Sequence, residues 1–412
     1  MRVVYRFPMR RSRRCSAGGY ARRVPTVRSL FSDDEIERAR DYHRPLYVAW
    51  AVGLTMELVI LAALAFSDLG DVLFDPLADL TWWAQALAIF AIALVITRVA
   101  TLPLSFWAGY LRERAWGFST QSARGWVADR AKGLGVAVVL GGTALLGLVA
   151  LARVLPDAWP LAAAGAAAAF VVLLVFVAPA ILEPLFNRFT PLEDEDLGRA
   201  LRRLASDAGV RDEHVLDRDA SRRTTKQNAY VSGLGRTRRL VLFDTLLEDS
   251  RQPELRLVFA HELGHRRAGH LAKGTVLGAC GAAVFILLLW GLLRWPPLLD
   301  ALDVDRPGDP RIVPFVLLLA ACLQLAGAPV GAGISRRWER AADEISLELT
   351  ADPQTFETTH RQLALANLAD LDPPRLVYLM LFSHPTPPER IAAAHAFASS
   401  RERELAPATA RS

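Results

Sequence analysis

A stretch near the middle of the chain carries two histidines and a glutamate at a spacing that suits a metal ion. His261 and His265 are four residues apart, so on a helix they lie one turn apart on the same face. Two imidazoles placed in this way can bind one tetrahedral zinc ion. Glu262, which lies beside them, can take a proton from a metal-activated water without binding the metal itself. This H-E-x-x-H pattern predicts a metal-dependent hydrolase.

Two histidines leave a catalytic zinc site one protein ligand short, and a later segment offers that ligand. Glu339 and Asp343 are also four residues apart. One carboxylate can bind the metal while the other accepts a hydrogen bond from a ligand imidazole. Such a pair is otherwise an ordinary solvated helix face. Because two apolar spans separate His265 from Glu339, both return to the same side of a membrane, and this favours a shared metal site.

The composition places the chain among membrane proteins. Its 412 residues are 52% hydrophobic and 22% charged, with a mean hydropathy of +0.23. Soluble globular proteins rarely have a positive mean hydropathy. Six apolar stretches are long enough to cross a bilayer, which takes roughly 20 helical residues. They lie at about 46–66, 82–107, 133–155, 159–184, 271–294 and 312–333.

The loops between these spans alternate in charge. Twelve arginines lie in the first 44 residues, and the loop 108–132 is also basic, whereas the loops 67–81 and 295–311 are rich in aspartate. The positive-inside rule therefore predicts a multi-pass cell-membrane protein whose N-terminus, zinc site and C-terminus are cytoplasmic. A basic arm could also bind nucleic acid, but an apolar span follows at once. We therefore expect a leader that sets orientation in the lipid bilayer, and no nucleic-acid partner.

Two charged residues, Glu57 and Arg98, lie near the middles of the first two spans. An isolated charge in the hydrocarbon costs roughly 2.5–3.5 kcal/mol on insertion scales. We expect these two side chains either to pair with each other or to line a water-filled cavity.

Local patterns predict the elements around the metal site. Capping-box spacing at Thr190–Glu193 predicts a helix start, and Gly209 a helix stop. Two strand-like runs follow, separated by a glycine turn, and the metal motif lies on the next helix. These runs and helices are expected at about Asn228–Ser232, Leu240–Phe243, Pro253–Gly269, 336–350, 353–368 and 387–399.

Further blocks of sequence complete the pattern. With the zinc motif they resemble the type I CAAX prenyl endopeptidases, membrane zinc proteases in which a glutamate is the third zinc ligand. The match covers roughly residues 100–400, but the chain shows six spans where eukaryotic members have seven. The matching blocks are Gly117-Phe118-Ser119, Pro184-Leu185-Phe186-Asn187-Arg188-Phe189-Thr190-Pro191-Leu192, Asn228-Ala229-Tyr230, Leu240-Val241-Leu242-Phe243-Asp244-Thr245-Leu246-Leu247 and Ser383-His384-Pro385-Thr386 followed by Glu389-Arg390.

The resemblance implies roles for residues outside the zinc motif. Asn228, Ala229 and Tyr230 would lie on an edge strand to which an extended substrate adds as a further strand. His384 and Arg390 would stabilise the oxyanion of the scissile carbonyl. An ordinary strand can also begin with asparagine, and a histidine before proline is often a helix cap.

One more histidine, His270, also matches the family. It lies five residues beyond His265, and we expect it to point elsewhere and to be structural.

The expected activity is peptide hydrolysis by one Zn²⁺ per chain, held by His261, His265 and Glu339, with Glu262 as general base and Asp343 behind a ligand histidine. The resemblance implies peptide or membrane-protein substrates, lipidated carboxyl-terminal tails among them. One rival is a quality-control metalloprotease of the heat-shock type, which is shorter. A second is a non-catalytic zinc-containing membrane protein that binds lipid or peptide, although Glu262 has no place in a structural zinc site.

The expected fold is a polytopic α-helical membrane protein of about six transmembrane helices with a cytoplasmic α+β zincin-like metalloprotease domain. Its expected parts are a basic arm at 1–45, a four-span membrane domain at 46–184, a zinc-protease module at 185–270, two spans at 271–333, a helical module with the third ligand at 334–400 and a disordered tail at 401–412.

Overall fold

Six long apolar helices form the membrane-spanning part of the protein. The structure is a computed structural model that describes residues 26–210 and 214–405. Within these residues, six helices are long and apolar enough to cross a bilayer, which confirms the predicted number. They cover Asp33–Phe66, Trp82–Ala115, Ala123–Val154, Trp159–Phe186, His270–Leu292 and Pro310–Thr350.

The described chain is mostly helical, with one small sheet. Two π-helical segments, Trp107–Leu111 and Ala178–Leu182, lie within the second and the fourth of the long apolar helices. The helices are α1 Val27–Leu30, α2 Asp33–Phe66, α3 Asp68–Phe74, α4 Trp82–Phe106, α5 Arg112–Ala115, α6 Ala123–Val154, α7 Trp159–Val177, α8 Glu183–Phe186, α9 Glu195–Asp207, α10 Asp244–Asp249, α11 Gln252–Ala268, α12 His270–Leu292, α13 Pro296–Ala301, α14 Val313–Thr350, α15 Pro353–Ala366, α16 Arg375–Leu381 and α17 Pro387–Leu405. The strands are β1 Phe189–Pro191, β2 Val215–Arg218, β3 Ala229–Ser232 and β4 Arg239–Phe243.

The four strands form a sheet in the order β1-β2-β4-β3. β2 and β4 run parallel, and the other two pairs are antiparallel. The two strands predicted on either side of the glycine turn are present as β3 and β4. Because β3 pairs only with β4 in this sheet, it is an edge strand with one side available for further pairing.

The sheet packs on the helices that carry the site. Leu240 and Leu242 of β4 are fully buried against α9 and α11. Helix α9 contributes the face predicted from its leucine spacing, Leu197, Leu201 and Leu204. This core holds the edge strand next to helix α11.

Helices α11 and α14 approach each other closely. A Cβ atom added at Gly264 would lie 2.9 Å from both the Cα and the carbonyl oxygen of Ala342. Only glycine allows two backbones to come this near. The contact brings the metal motif on α11 beside the carboxylates on α14.

The predicted helix start at Thr190 is wrong. Residues Phe189–Pro191 form β1 and pair with β2. The helix begins at Glu195, where the Asp194 side chain accepts a hydrogen bond from the Leu197 N–H at 2.9 Å. The residues at the first capping signal therefore pair as a strand, and Asp194 is the residue that caps the helix.

The predicted break between the sixth span and the next helix is also absent. Helix α14 runs without interruption from Val313 to Thr350, through Pro329. The change from apolar to polar sequence therefore marks a change of surroundings and not a helix end. Helix α2 likewise begins at Asp33, inside the predicted arm, where Ser32 and Glu35 form a capping box.

The chain ends differ in two further ways from the expected organisation. Helix α16 was not predicted, and helix α17 extends to Leu405, into the tail expected to be disordered. Residues 1–25 and 406–412, which include most of the basic arm and the end of the tail, lie outside the described residues.

Glu57 and Arg98 line one cavity of about 640 Å³ within the membrane-spanning bundle, together with Gln324 of α14. Among the described residues, no ion pair joins Glu57 to Arg98. Of the two expected arrangements, direct pairing of the charges is not observed among the described residues, whereas a shared cavity is present.

Candidate active site

Helix α11 presents the metal-binding motif on its buried face. In its first turn, the Arg251 N–H donates to Glu254 Oε2 at 2.9 Å. The helix ends before Gly269, whose φ of 68° lies in the left-handed region that glycine adopts without strain. Between these ends, His261 and Glu262 are only 8% and 9% exposed.

The two motif histidines meet Glu339 of α14 at one point. The Nε2 atoms of His261 and His265 are 3.1 Å apart. Glu339 Oε2 lies 3.3 Å from His261 Nε2, and Glu339 Oε1 lies 3.2 Å from His265 Nε2. The structure therefore brings together the three residues predicted as metal ligands, with their ligand atoms within 4.8 Å of one another.

The geometry and donor chemistry of this cluster fit zinc. Two ligand atoms bound to one tetrahedral zinc at about 2.0–2.1 Å are separated by about 3.3–3.4 Å, close to the three distances above. Two imidazoles and a carboxylate leave a fourth position open, as in catalytic zinc sites. Glu339 Oε2 is buried without a hydrogen bond to any described residue, although His261 Nε2 is near. A cation would satisfy this oxygen.

A buried pair of opposite charges lies behind His261. Asp343 Oδ1 is 2.9 Å from His261 Nδ1, the ring nitrogen that faces away from Glu339. Arg390 donates to both oxygens of Asp343, with Nε 2.9 Å from Oδ2 and Nη2 bonded to Oδ1. Burial lowers the pKa of His261, but the adjacent carboxylates of Asp343 and Glu339 outweigh burial and raise that pKa to about 9. The cluster therefore attracts positive charge.

Glu262 lies in the wall of a cavity of about 470 Å³ that also reaches His261. Burial raises the pKa of the Glu262 carboxyl above its usual range, which increases the affinity of its carboxylate for a proton. Further walls come from α2, α10, α15 and the segment after it, from the start of β3 and from the loop between α16 and α17.

That loop places His384 beside Glu339, one of the three predicted metal ligands. His384 Nε2 is 3.3 Å from Glu339 Oε1, and the side chain is 58% exposed. Its Nδ1 lies 2.8 Å from Ser383 Oγ. His384 therefore combines nearness to the metal position with access from the cavity.

Arg336 holds this loop in place and was missed by the sequence analysis. It lies three residues before Glu339 on α14 and is only 6% exposed. Its Nη1 donates to the carbonyl oxygens of Tyr378 at 2.9 Å and Phe382 at 2.6 Å. Because His384 follows two residues after Phe382, one helix positions both a ligand and the loop. A charged residue on the ligand-bearing face of α14 was the available signal.

His270 was expected to point elsewhere and to be structural, and it instead contacts a motif histidine without joining the residues that could hold a metal. His270 Nδ1 lies 3.0 Å from His265 Nδ1, on the ring nitrogen of His265 that faces away from Glu339. Its ring stacks on Trp338 with centroids 5.1 Å apart. His270 therefore holds the ring of the predicted ligand His265, because the left-handed turn at Gly269 carries it back toward α11.

The three edge-strand residues divide between two surroundings. Asn228 and Ala229 line the cavity beside the metal cluster. The hydroxyl of Tyr230 instead donates to Glu183 Oε2 at 3.0 Å, and Ser232 Oγ donates to the other oxygen of Glu183 at 2.5 Å. Glu183 lies in α8, so the end of the fourth membrane-spanning helix is tied to the edge strand.

Two family models divide the chain at the boundary between its first four membrane helices and the sheet. Residues 191–398 match the model described as peptidase family M48. Residues 20–188 match the model described as CAAX prenyl protease N-terminal, five membrane helices. The described part of that region holds four long apolar helices. The chain belongs to peptidase family M48, and it is a multi-pass membrane metalloendopeptidase.

Individual relatives and one solved structure agree with this family. The chain is 31% identical over 307 residues to an uncharacterized metalloprotease of Bacillus subtilis, covering 74% of this chain and 71% of that one. It is 27% identical over 326 residues to CAAX prenyl protease 1 of Saccharomyces cerevisiae, covering 75% and 72%. The crystal structure of S. mikatae Ste24p superposes with a TM-score of 0.80 at 25% identity, covering 90% and 91% of the two chains.

Proposed function

We propose that the protein hydrolyses peptide bonds at a single zinc ion held by His261, His265 and Glu339, with Glu262 as general base. The observation that carries this proposal is the meeting of three donor groups at the spacing of zinc ligands. Glu339 Oε2 is buried without a hydrogen bond to any described residue, and a cation at the same point would satisfy it. Glu262 adds a buried carboxylate with a raised proton affinity beside it.

The residues of the chain divide the work of hydrolysis among them. Zinc, when bound, supplies a Lewis acid that lowers the pKa of a coordinated water toward about 7 and polarises the scissile carbonyl. Glu262 accepts the proton of the attacking water and passes it to the leaving amine. His384 donates a hydrogen bond to the carbonyl oxygen as negative charge develops there. Arg390 adds positive charge from the cavity wall and, through Asp343, keeps His261 in its ring orientation.

The proposed substrates are peptides or membrane-protein termini in an extended conformation. An extended peptide can add to the open side of β3 by backbone hydrogen bonds, next to Asn228 and Ala229 in the cavity wall. Relatives named CAAX prenyl protease support carboxyl-terminal tails, lipidated ones included, as a substrate class. Substrates would approach along the membrane helices that reach the site.

We place the site on the cytoplasmic side of the membrane. The support is the charge of the loops, since the basic loop 108–132 and the sheet segment share one side while the acidic loops 67–81 and 295–311 share the other.

The proposal is tested by cleavage of a quenched fluorescent peptide by purified protein in detergent, with zinc measured on every sample. We expect Glu262→Gln to retain about one zinc per chain and to lose the activity that the wild type shows. Glu344→Gln, an exposed glutamate on α14, is the matched control and should keep both. An active, zinc-loaded Glu262→Gln variant would remove Glu262 as the base.

The same assay addresses the rival functions. If the wild type binds zinc yet cleaves none of a set of peptides, a non-catalytic peptide- or lipid-binding protein becomes the better description. The match of residues 20–188 to the CAAX prenyl protease N-terminal model supports the CAAX type over the shorter heat-shock type.

A further inference from the structure

The open side of β3 is interrupted at its first end by a side chain from another part of the chain. Asn367, which follows α15, accepts a hydrogen bond from the Gln227 N–H on its Oδ1 at 2.9 Å. Its Nδ2 donates to the Gln227 carbonyl oxygen, also at 2.9 Å. One carboxamide thus satisfies both backbone groups of one residue, as a neighbouring strand would.

The alternation of backbone hydrogen bonds along β3 places this contact on the side that faces away from β4, where a peptide could pair. The Phe243 N–H donates to the Asn228 carbonyl oxygen at 3.1 Å, so Asn228 turns its backbone groups toward β4. In an antiparallel pair such residues alternate with residues whose groups face the other side. Gln227, Ala229 and Val231 therefore face outward. Asn367 occupies the first of these three outward positions.

The Asn367 side chain is held firmly in this position. Directly after it, the Leu368 carbonyl oxygen lies 2.7 Å from His43 Nε2 of α2. Two residues later, Asp370 Oδ2 accepts a hydrogen bond from the Tyr47 hydroxyl, also at 2.7 Å. The membrane-spanning helix α2 therefore fixes the segment that carries Asn367, and Gln227 itself is only 6% exposed.

We propose that Asn367 is a specificity-determining residue that ends the peptide-pairing edge of the active site. A peptide bound along β3 can pair with Val231 and with the carbonyl oxygen of Ala229, and with the Ala229 N–H once the Asn228 Oδ1 that accepts from it at 2.9 Å moves aside. At Gln227 it meets the Asn367 carboxamide and must leave the sheet. The far end is closed by Gly233, whose φ of 78° turns the chain. The edge therefore pairs with a short stretch of substrate backbone and sets its register over the metal ligands. This inference rests on the proposed addition of substrate to β3.

The test measures how KM depends on peptide length. Two peptide series share one scissile sequence, and one is extended on the amino side while the other is extended on the carboxyl side. In the wild type, the series that grows toward Gln227 should stop gaining affinity where Asn367 blocks pairing. In Asn367→Ala that series alone should gain, with KM falling about five-fold for each backbone hydrogen bond that becomes available. Product masses report any shift of the cleavage position.

Two further variants make the outcome decisive. Asn367→Asp keeps the acceptor for the Gln227 N–H and removes the donor to the Gln227 carbonyl oxygen. It should therefore give a smaller change in the same peptide series. It also takes the place of Asn367→Ala if that variant does not fold. Gln362→Ala, at an exposed contact on α15, should leave the length profile unchanged. Identical profiles for wild type and both Asn367 variants would overturn this inference while the proposed hydrolysis stands. Absence of cleavage by the wild type would instead overturn the proposed function.

Discussion

At the scale of single residues, both histidines of the proposed zinc site are held by a second group. Asp343 contacts the rear nitrogen of His261, and His270 contacts the rear nitrogen of His265. Partners of this kind fix the ring orientation and the tautomer of a ligand histidine. Arg390 in turn donates a hydrogen bond to Asp343.

Removal of the charge at Asp343 should weaken zinc binding. We expect Asp343→Asn to raise the zinc dissociation constant about 10- to 100-fold, because the variant loses the charged partner of His261 Nδ1. Titration with a competing chelator measures the constant. Unchanged affinity would show that Arg390 and packing hold His261 without the carboxylate.

Loss of the Arg336 contacts should lower turnover more than substrate binding. Arg336→Met removes the donor to two loop carbonyl oxygens, so His384 loses its fixed position. We expect kcat to fall about 10-fold or more with little change in KM, since an oxyanion donor acts in the transition state. Arg336→Lys should restore part of kcat. The adjacent exposed Arg337, changed to Met, is the control, and an equal effect there would contradict a specific role.

At the scale of elements, the site depends on how closely α11 packs against α14. The motif helix and its ends were predictable because glycine, proline and histidine spacing are local signals. The strand at β1 was not predictable, because its pairing with β2 outweighs the local capping signal. The positioning roles of Arg336 and Asn367 were not predicted, because their partners are distant in the chain, 140 residues away in the case of Asn367. For Arg336 the only local signal was its charge on the ligand-bearing face of α14.

A methyl group at Gly264 should separate the metal ligands. Its Cβ would lie 2.9 Å from backbone atoms of Ala342, so α14 must move away. We expect Gly264→Ala to destabilise the protein by about 1–3 kcal/mol and to weaken zinc binding, because Glu339 moves with α14. Thermal unfolding with and without zinc measures both effects. Gly281→Ala, where no atom lies within 4 Å of the added Cβ, should behave as wild type.

At the scale of the whole molecule, three membrane-spanning helices contribute to the site or hold the elements around it. Helix α14 carries Glu339, α8 ties β3 through Glu183, and α2 fixes the segment of Asn367. The number of spans was predictable from apolar runs alone. The continuation of these helices past the apolar runs was not predictable, because hydropathy reports the surroundings of a helix and not its length.

Accessibility of introduced cysteines tests the orientation of the molecule. We expect Asp305→Cys, in an exposed loop, to react with a membrane-impermeant thiol reagent in intact cells. Glu195→Cys, at the exposed start of α9, should react only after permeabilisation. The unsubstituted protein gives the background from the native cysteines. The reverse pattern would place the site on the outer side.

Because α14 continues unbroken from the membrane to Glu339, we expect the thickness of the bilayer to affect the geometry of the proposed metal site. A helix whose apolar part is longer or shorter than the local hydrocarbon thickness tilts or shifts to reduce the mismatch. Because α14 is continuous from Val313 to Thr350, we expect a tilt of its apolar part in the bilayer to shift Glu339 relative to the two histidines on α11. We therefore expect the zinc affinity of the protein in reconstituted vesicles to change with lipid chain length.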